Sequence, residues 1–188
     1  MIAKARDEEA PGGQYEGPDG RDTAVGVRLH PDLPDPAAGW DYNPTQPHLR
    51  NGHRGELELV NRIKGALPDE IVLHYGMPAG LRGPDVLTAS PDGDVTIWDS
   101  KWRGRTRSIG DSLAGHQGNG SLQAALDFAE RQIKQAAESG RLPEAAASKA
   151  LENIRNGNVY INTVGTGSAH GGIVRCVRNS VFVDCWSK

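Results

Sequence analysis

The sequence predicts a mixed α/β fold, an α+β arrangement in which one mixed sheet is flanked by helices. Three observations carry this: a helical apolar stripe ahead of any strand, two short apolar segments joined by an Asp-Gly turn, and two further helical segments before the last strands. At 188 residues the chain suits one domain with a substantial core and an extension.

The extension comes first. Residues 1–47 hold seven of the twelve prolines, many glycines and few aromatics, and read as a flexible acidic lead or linker, leaving 48–188 as the folded domain. From Asn51, Leu59, Val60, Ile63 and Leu67 fall on one helical face that Pro68 closes. Ile71–Tyr75 reads as a strand, and Gly76–Gly83 as a loop. Asp85–Ala89 and Val95–Trp102 flank Ser-Pro-Asp-Gly-Asp and are expected to pair antiparallel. After a loop rich in arginine and glycine, Leu122, Ala125, Leu126, Ala129 and Ile133 mark a helix that Gly140 ends, and Pro143 opens another running to about Ile154. Two strands, Val159–Val164 and Ile173–Val183, complete the order of helix, three strands, two helices, two strands. Cys176 and Cys185 lie in apolar segments and read as buried thiols.

Charge narrows the function classes. The net charge is −3, but residues 1–45 hold nine acidic and four basic residues. Of the 24 acidic and 21 basic residues in all, fifteen acidic and seventeen basic therefore remain for the rest, which is mildly basic. No apolar run is long enough for a bilayer and the first residues lack a hydrophobic signal stretch, so the chain reads as soluble, with no membrane segment.

The chemistry concentrates in the hairpin, Gly83-Pro84-Asp85-Val86-Leu87 followed by Thr96-Ile97-Trp98-Asp99-Ser100-Lys101-Trp102. Alternation along the second strand sets Asp99 and Lys101 on the face of Ile97, and Trp98, Ser100 and Trp102 on the other. Two carboxylates and an ammonium suit phosphodiester hydrolysis. A hard cation neutralises the phosphorane and acidifies an attacking water, while the lysine stabilises developing charge. This segment resembles the PD-(D/E)xK, or restriction-endonuclease-like, nuclease motif. The resemblance implies that core fold, Asp85 and Asp99 as ligands of Mg²⁺ or Mn²⁺, Lys101 as the catalytic ammonium, and a glutamate of the first helix, Glu56 or Glu58, as a further metal or water-positioning group. Helical geometry favours Glu56, which shares a stripe with Leu59, Val60 and Ile63, while Glu58 aligns with Arg62 on the face expected to be solvated.

Arg103, Arg105 and Arg107 follow the lysine strand and suit contacts to flanking phosphates. Trp98 and Trp102 interleave with that basic track and suit either core packing or base stacking. Ser100 and Gln132 are further candidates at the site, and Gln132 also reads as bordering the core. No His-x-x-x-His or Cys-x-x-Cys spacing points to Zn²⁺. His116 and His170, in glycine-rich loops, would serve a metal-independent ribonuclease instead.

Trp-Asp-Ser-Lys-Trp-Arg-Gly-Arg-Thr-Arg-Ser-Ile-Gly, residues 98–110, followed by a helix, resembles the C-terminal toxin domains of contact-dependent inhibition and other bacterial polymorphic toxins. That implies an endonuclease acting on RNA, tRNA included, or on DNA, delivered from the producing bacterium into the target-cell cytoplasm and neutralised by a cognate immunity protein. The lead segment Gly-Trp-Asp-Tyr-Asn-Pro-Thr-Gln resembles a stretch of phage head-morphogenesis proteins, which keeps a non-enzymatic nucleic-acid or protein-binding module as the alternative.

Overall fold

The computed structural model of the chain describes residues 15–36, 42–78, 83–102, 121–166, 173–178 and 181–183, and of Lys101, Ser121, Thr163, Gly165, 173–178 and 181–183 it describes the backbone alone. The elements are β1 (Arg21–Asp22), β2 (Arg28–Leu29), α1 (Pro47–Ala66), β3 (Ile71–Tyr75), β4 (Val86–Ala89), β5 (Val95–Trp102), α2 (Ser121–Glu138), α3 (Glu144–Arg155), β6 (Val159–Thr166), β7 (Ile173–Arg178) and β8 (Val181–Val183). The mixed α/β class is therefore found, with three helices among the described residues, but β1 and β2 precede the expected first helix and three strands follow α3 where two were expected.

Six strands form one sheet in the order β3-β4-β5-β6-β7-β8. All neighbours are antiparallel except β5 and β6, which pair in parallel from Val95↔Val159 to Trp102↔Thr166. A parallel pair needs a crossover, and α2 with α3 supplies it. The expected last strand is two strands, paired through Cys176↔Val183 and Arg178↔Val181. The sequence between them, Asn179-Ser180, carries turn-forming residue types inside an otherwise apolar run. Both cysteine side chains lie outside the described residues.

The β4–β5 hairpin closes as its Asp-Gly pair requires. Gly93 has φ +82°, its N–H bonds Ser90 O, and Ser90 also exchanges hydrogen bonds with Asp94. The turn docks on α3, where the Asn153 amide donates to Gly93 O at 2.9 Å.

Strand alternation divides the core in two. Leu87, Ala89, Val95 and Ile97 pack with Ala129, Ile133 and Ala136 of α2 and Ala146, Ala147 and Ala150 of α3. On the other face, Val72, Tyr75, Val86, Trp98 and Val164 pack with Leu57, Leu59, Val60 and Ile63 of α1. Trp98 is a core residue, with Nε1 donating to Thr88 Oγ1 at 3.0 Å.

Within the stretch expected to be a linker, residues 15–36 pack onto α1. Val25, Val27, Leu29 and Leu33 are buried in the α1-side core. Asn61 of α1 accepts the His30 N–H and donates to Arg28 O, and Tyr75 donates its hydroxyl to Pro34 O. The segment is braced by Arg21–Asp35 and Arg28–Asp22 ion pairs. The helix thus lies between the sheet and this strap. Among the described residues no helix is long and apolar enough to cross a membrane.

Candidate active site

Asp85 stands one residue before β4 and Asp99 near the end of β5. The pairing Val86↔Trp98 and Leu87↔Ile97, carried one step further, sets the two aspartates opposite each other. Just before β4 begins, the Asp85 carboxylate takes over the role of a ladder carbonyl: its Oδ2 accepts the Ser100 N–H at 2.6 Å. Asp99 shares the parity of Val95 and Ile97, as expected, and so lies on the α2/α3 face. It is 8 % exposed, with Oδ2 shielded from solvent. Burying a carboxylate is costly unless cationic or hydrogen-bonding groups compensate it, so this position is demanding. Lys101 is at the expected place on β5, where its backbone pairs with Gly165.

Ser100 points the other way, towards α1. Its hydroxyl lies 2.9 Å from Thr166 Oγ1, and both crowd the backbone of Gly55, where a Cβ would fall 2.5 Å from Thr166 Oγ1 and 3.0 Å from Ser100 Oγ. A glycine at this point lets α1 approach the ends of β5 and β6 closely. Two residues on, Leu57 reaches Gly76 at the end of β3. Glu56 leaves the helix between these two contacts and is half-buried, with Oε2 shielded.

Glu58 departs from expectation. It is 8 % exposed rather than solvated, and Arg54 Nε donates to its Oε1 at 2.9 Å. Arg62 also feels its charge, although burial holds the Arg62 guanidinium below its usual range. The strap over residues 15–36 is bonded to Asn61, one turn further along α1.

Among the described residues no group of three or more His, Cys, Asp or Glu side chains gathers as a metal site. The α2 helix reaches this end of the sheet through Phe128, 3.6 Å from an ideal Cβ on Gly83 and stacked edge-on to His74. Gln132 is half-buried one turn further on. Arg103, Arg105, Arg107, His116 and His170 lie outside the described residues.

Sequence reasoning passed over His53, His74, Arg54, Gly55 and Thr166. Burial pushes both histidines down to about 4, so each is neutral near neutral pH. His53 is stacked edge-on to Tyr42 at 4.6 Å. The signal for Gly55 was a glycine inside a helical stripe, which costs stability unless a close approach demands it. No protein-family model matches the chain, and neither a curated protein nor a solved structure shows significant similarity to it.

Proposed function

We propose that the chain is a metal-dependent nuclease of the PD-(D/E)xK type. The observation that carries this is the facing of Asp85 and Asp99 across the open end of the β4–β5 pair, in a strand that also carries Lys101. The order α1-β3-β4-β5-α2-α3-β6, with three antiparallel strands and a fourth parallel to the third, supports a restriction-endonuclease-like core.

Two carboxylates from adjacent strands fit a hard divalent cation, Mg²⁺ or Mn²⁺, which keeps water and substrate phosphate in its remaining positions. Bound there, the cation would supply charge neutralisation and an acidified water. Asp85 is oriented by the Ser100 N–H, and Asp99 by its burial in the end of β5. Lys101 contributes a compact positive charge for the phosphate or the leaving oxygen. Glu56, arriving from α1, would serve as a further metal ligand or water-positioning group.

The toxin-domain resemblance of the segment 98–110 extends the reading to an effector acting on tRNA or other RNA, or on DNA, and restrained by an immunity protein. Incubation of the purified chain with plasmid DNA and with total tRNA, each with and without divalent cation, tests it. Cleavage of one of the two that requires the cation is the expected result. No cleavage of either, or equal cleavage in chelator, overturns it.

A further inference from the structure

Arg54 is held in a way that an ordinary helix-surface ion pair does not need. Its Nε is bonded to Glu58, which is buried, and its guanidinium carbon lies 5.7 Å from the ring centroid of Trp102. The two terminal nitrogens make no hydrogen bond among the described residues, and the side chain is 44 % exposed. One edge of the guanidinium is thus fixed by a carboxylate and one face by an indole, leaving the outer edge to solvent. Exposed ion pairs at this spacing contribute only a few tenths of a kcal/mol. The value of the arrangement lies in preorganisation: a planar fork already immobilised loses little entropy when it accepts a two-oxygen anion.

Its place in the fold points the same way. Arg54 precedes Gly55, the residue where α1 touches Ser100, and Trp102 ends the strand that carries Asp99 and Lys101. A polymer lying across the end of β5 would meet Asp99 on one face of the strand and Arg54 on the other.

We propose that Arg54, clamped between Glu58 and Trp102, binds a backbone phosphate of the nucleic-acid substrate other than the one that is cleaved. This rests on the nuclease reading and adds to it a subsite that binds without taking part in hydrolysis.

The test is fluorescence anisotropy of labelled oligo(U) and oligo(dT) in chelator, which prevents cleavage, titrated with salt. Arg54→Gln is expected to weaken binding roughly tenfold at low salt and to reduce the salt slope by about one phosphate. Under single-turnover conditions with divalent cation, its half-saturating concentration rises while its rate at saturation stays that of the wild type. Wild-type affinity and slope in Arg54→Gln overturn the subsite, and leave the nuclease reading standing if cation-dependent cleavage persists. If the wild type binds neither oligonucleotide and cleaves nothing, both fall. Should Arg54→Gln fail to fold, Arg54→Lys decides: weaker binding at an unchanged slope supports the fork-like contact, and wild-type affinity overturns it.

Discussion

Asp85 Oδ2 accepts the backbone N–H of Ser100 at 2.6 Å, so a residue proposed to hold metal also extends the ladder just ahead of β4. The two roles can be separated. Asp85→Asn keeps an acceptor oxygen but removes the charge, so its unfolding midpoint is expected to stay near the wild type while calorimetry shows weakened binding of Mn²⁺. Asp85→Ala removes both and should cost about 1–3 kcal/mol as well. Undiminished metal binding in Asp85→Asn would take Asp85 out of the site.

Glu56 and Glu58, two positions apart on α1, should fail differently. Glu58→Gln leaves Arg54 and Arg62 without their shared anion and is expected to lower stability by about 1–2 kcal/mol, a figure reduced for the half-exposure of Arg54. Glu56→Gln should leave stability nearly unchanged and slow cleavage strongly. Denaturant unfolding paired with single-turnover cleavage separates them, and a stable but inactive Glu58→Gln would assign the site role to Glu58.

Three glycines of α1 test the close approach at Ser100 and Thr166. Alanine is favoured over glycine in a helix by about 1 kcal/mol, and nothing lies within 4 Å of a Cβ placed at Gly52 or Gly65. Gly52→Ala and Gly65→Ala should therefore stabilise. Gly55→Ala sets a methyl 2.5 Å from Thr166 Oγ1, forces the helix off the strand ends, and is expected to destabilise despite the same propensity gain. Thermal melts of the three variants check this, and a stabilised Gly55→Ala would remove the contact from the account.

His53 and His74 make stability depend on acid. Their folded values are lowered from 6.5 to about 4, so above pH 6.5 neither state binds a proton there and they add no slope. Between about 6.5 and 4 the unfolded chain takes up protons that the folded chain refuses, and stability falls as pH falls, by about 1.4 kcal/mol per unit for each histidine. Urea midpoints across this range should show that slope, and His74→Leu should remove half of it. A slope untouched by His74→Leu would mean that the folded protein protonates His74 readily.

The hairpin, the strand faces and the three helices were legible because each rests on local chemistry: Gly93 at a positive φ, alternation along β5, and a stripe of Leu59, Val60 and Ile63. What was missed depends on neighbours distant in sequence. Val25, Val27 and Leu29 alternate as a strand would, but prolines and glycines around them dominate the composition, and their burial needs α1 as a partner. Glu58 was misplaced for the same reason. A helix covered by a sheet on one side and a strap on the other has no single solvated face, so periodicity alone cannot tell which carboxylate is inside. Asp85 and Asp99 could be paired from the turn length, whereas the approach of α1 to Ser100 and Thr166 becomes visible only in three dimensions.

The central claim is that Asp99 and Lys101 drive hydrolysis of a phosphodiester bond with the help of a divalent cation. Single-turnover cleavage by wild type, Asp99→Ala and Lys101→Ala, at saturating Mg²⁺ or Mn²⁺ and on whichever of tRNA or plasmid the wild type cuts, measures it most directly. The account predicts folded variants, by circular dichroism, whose cleavage falls by at least about a thousandfold, the scale of losing a charge stabiliser from a transition state. Wild-type cleavage in either variant would contradict it.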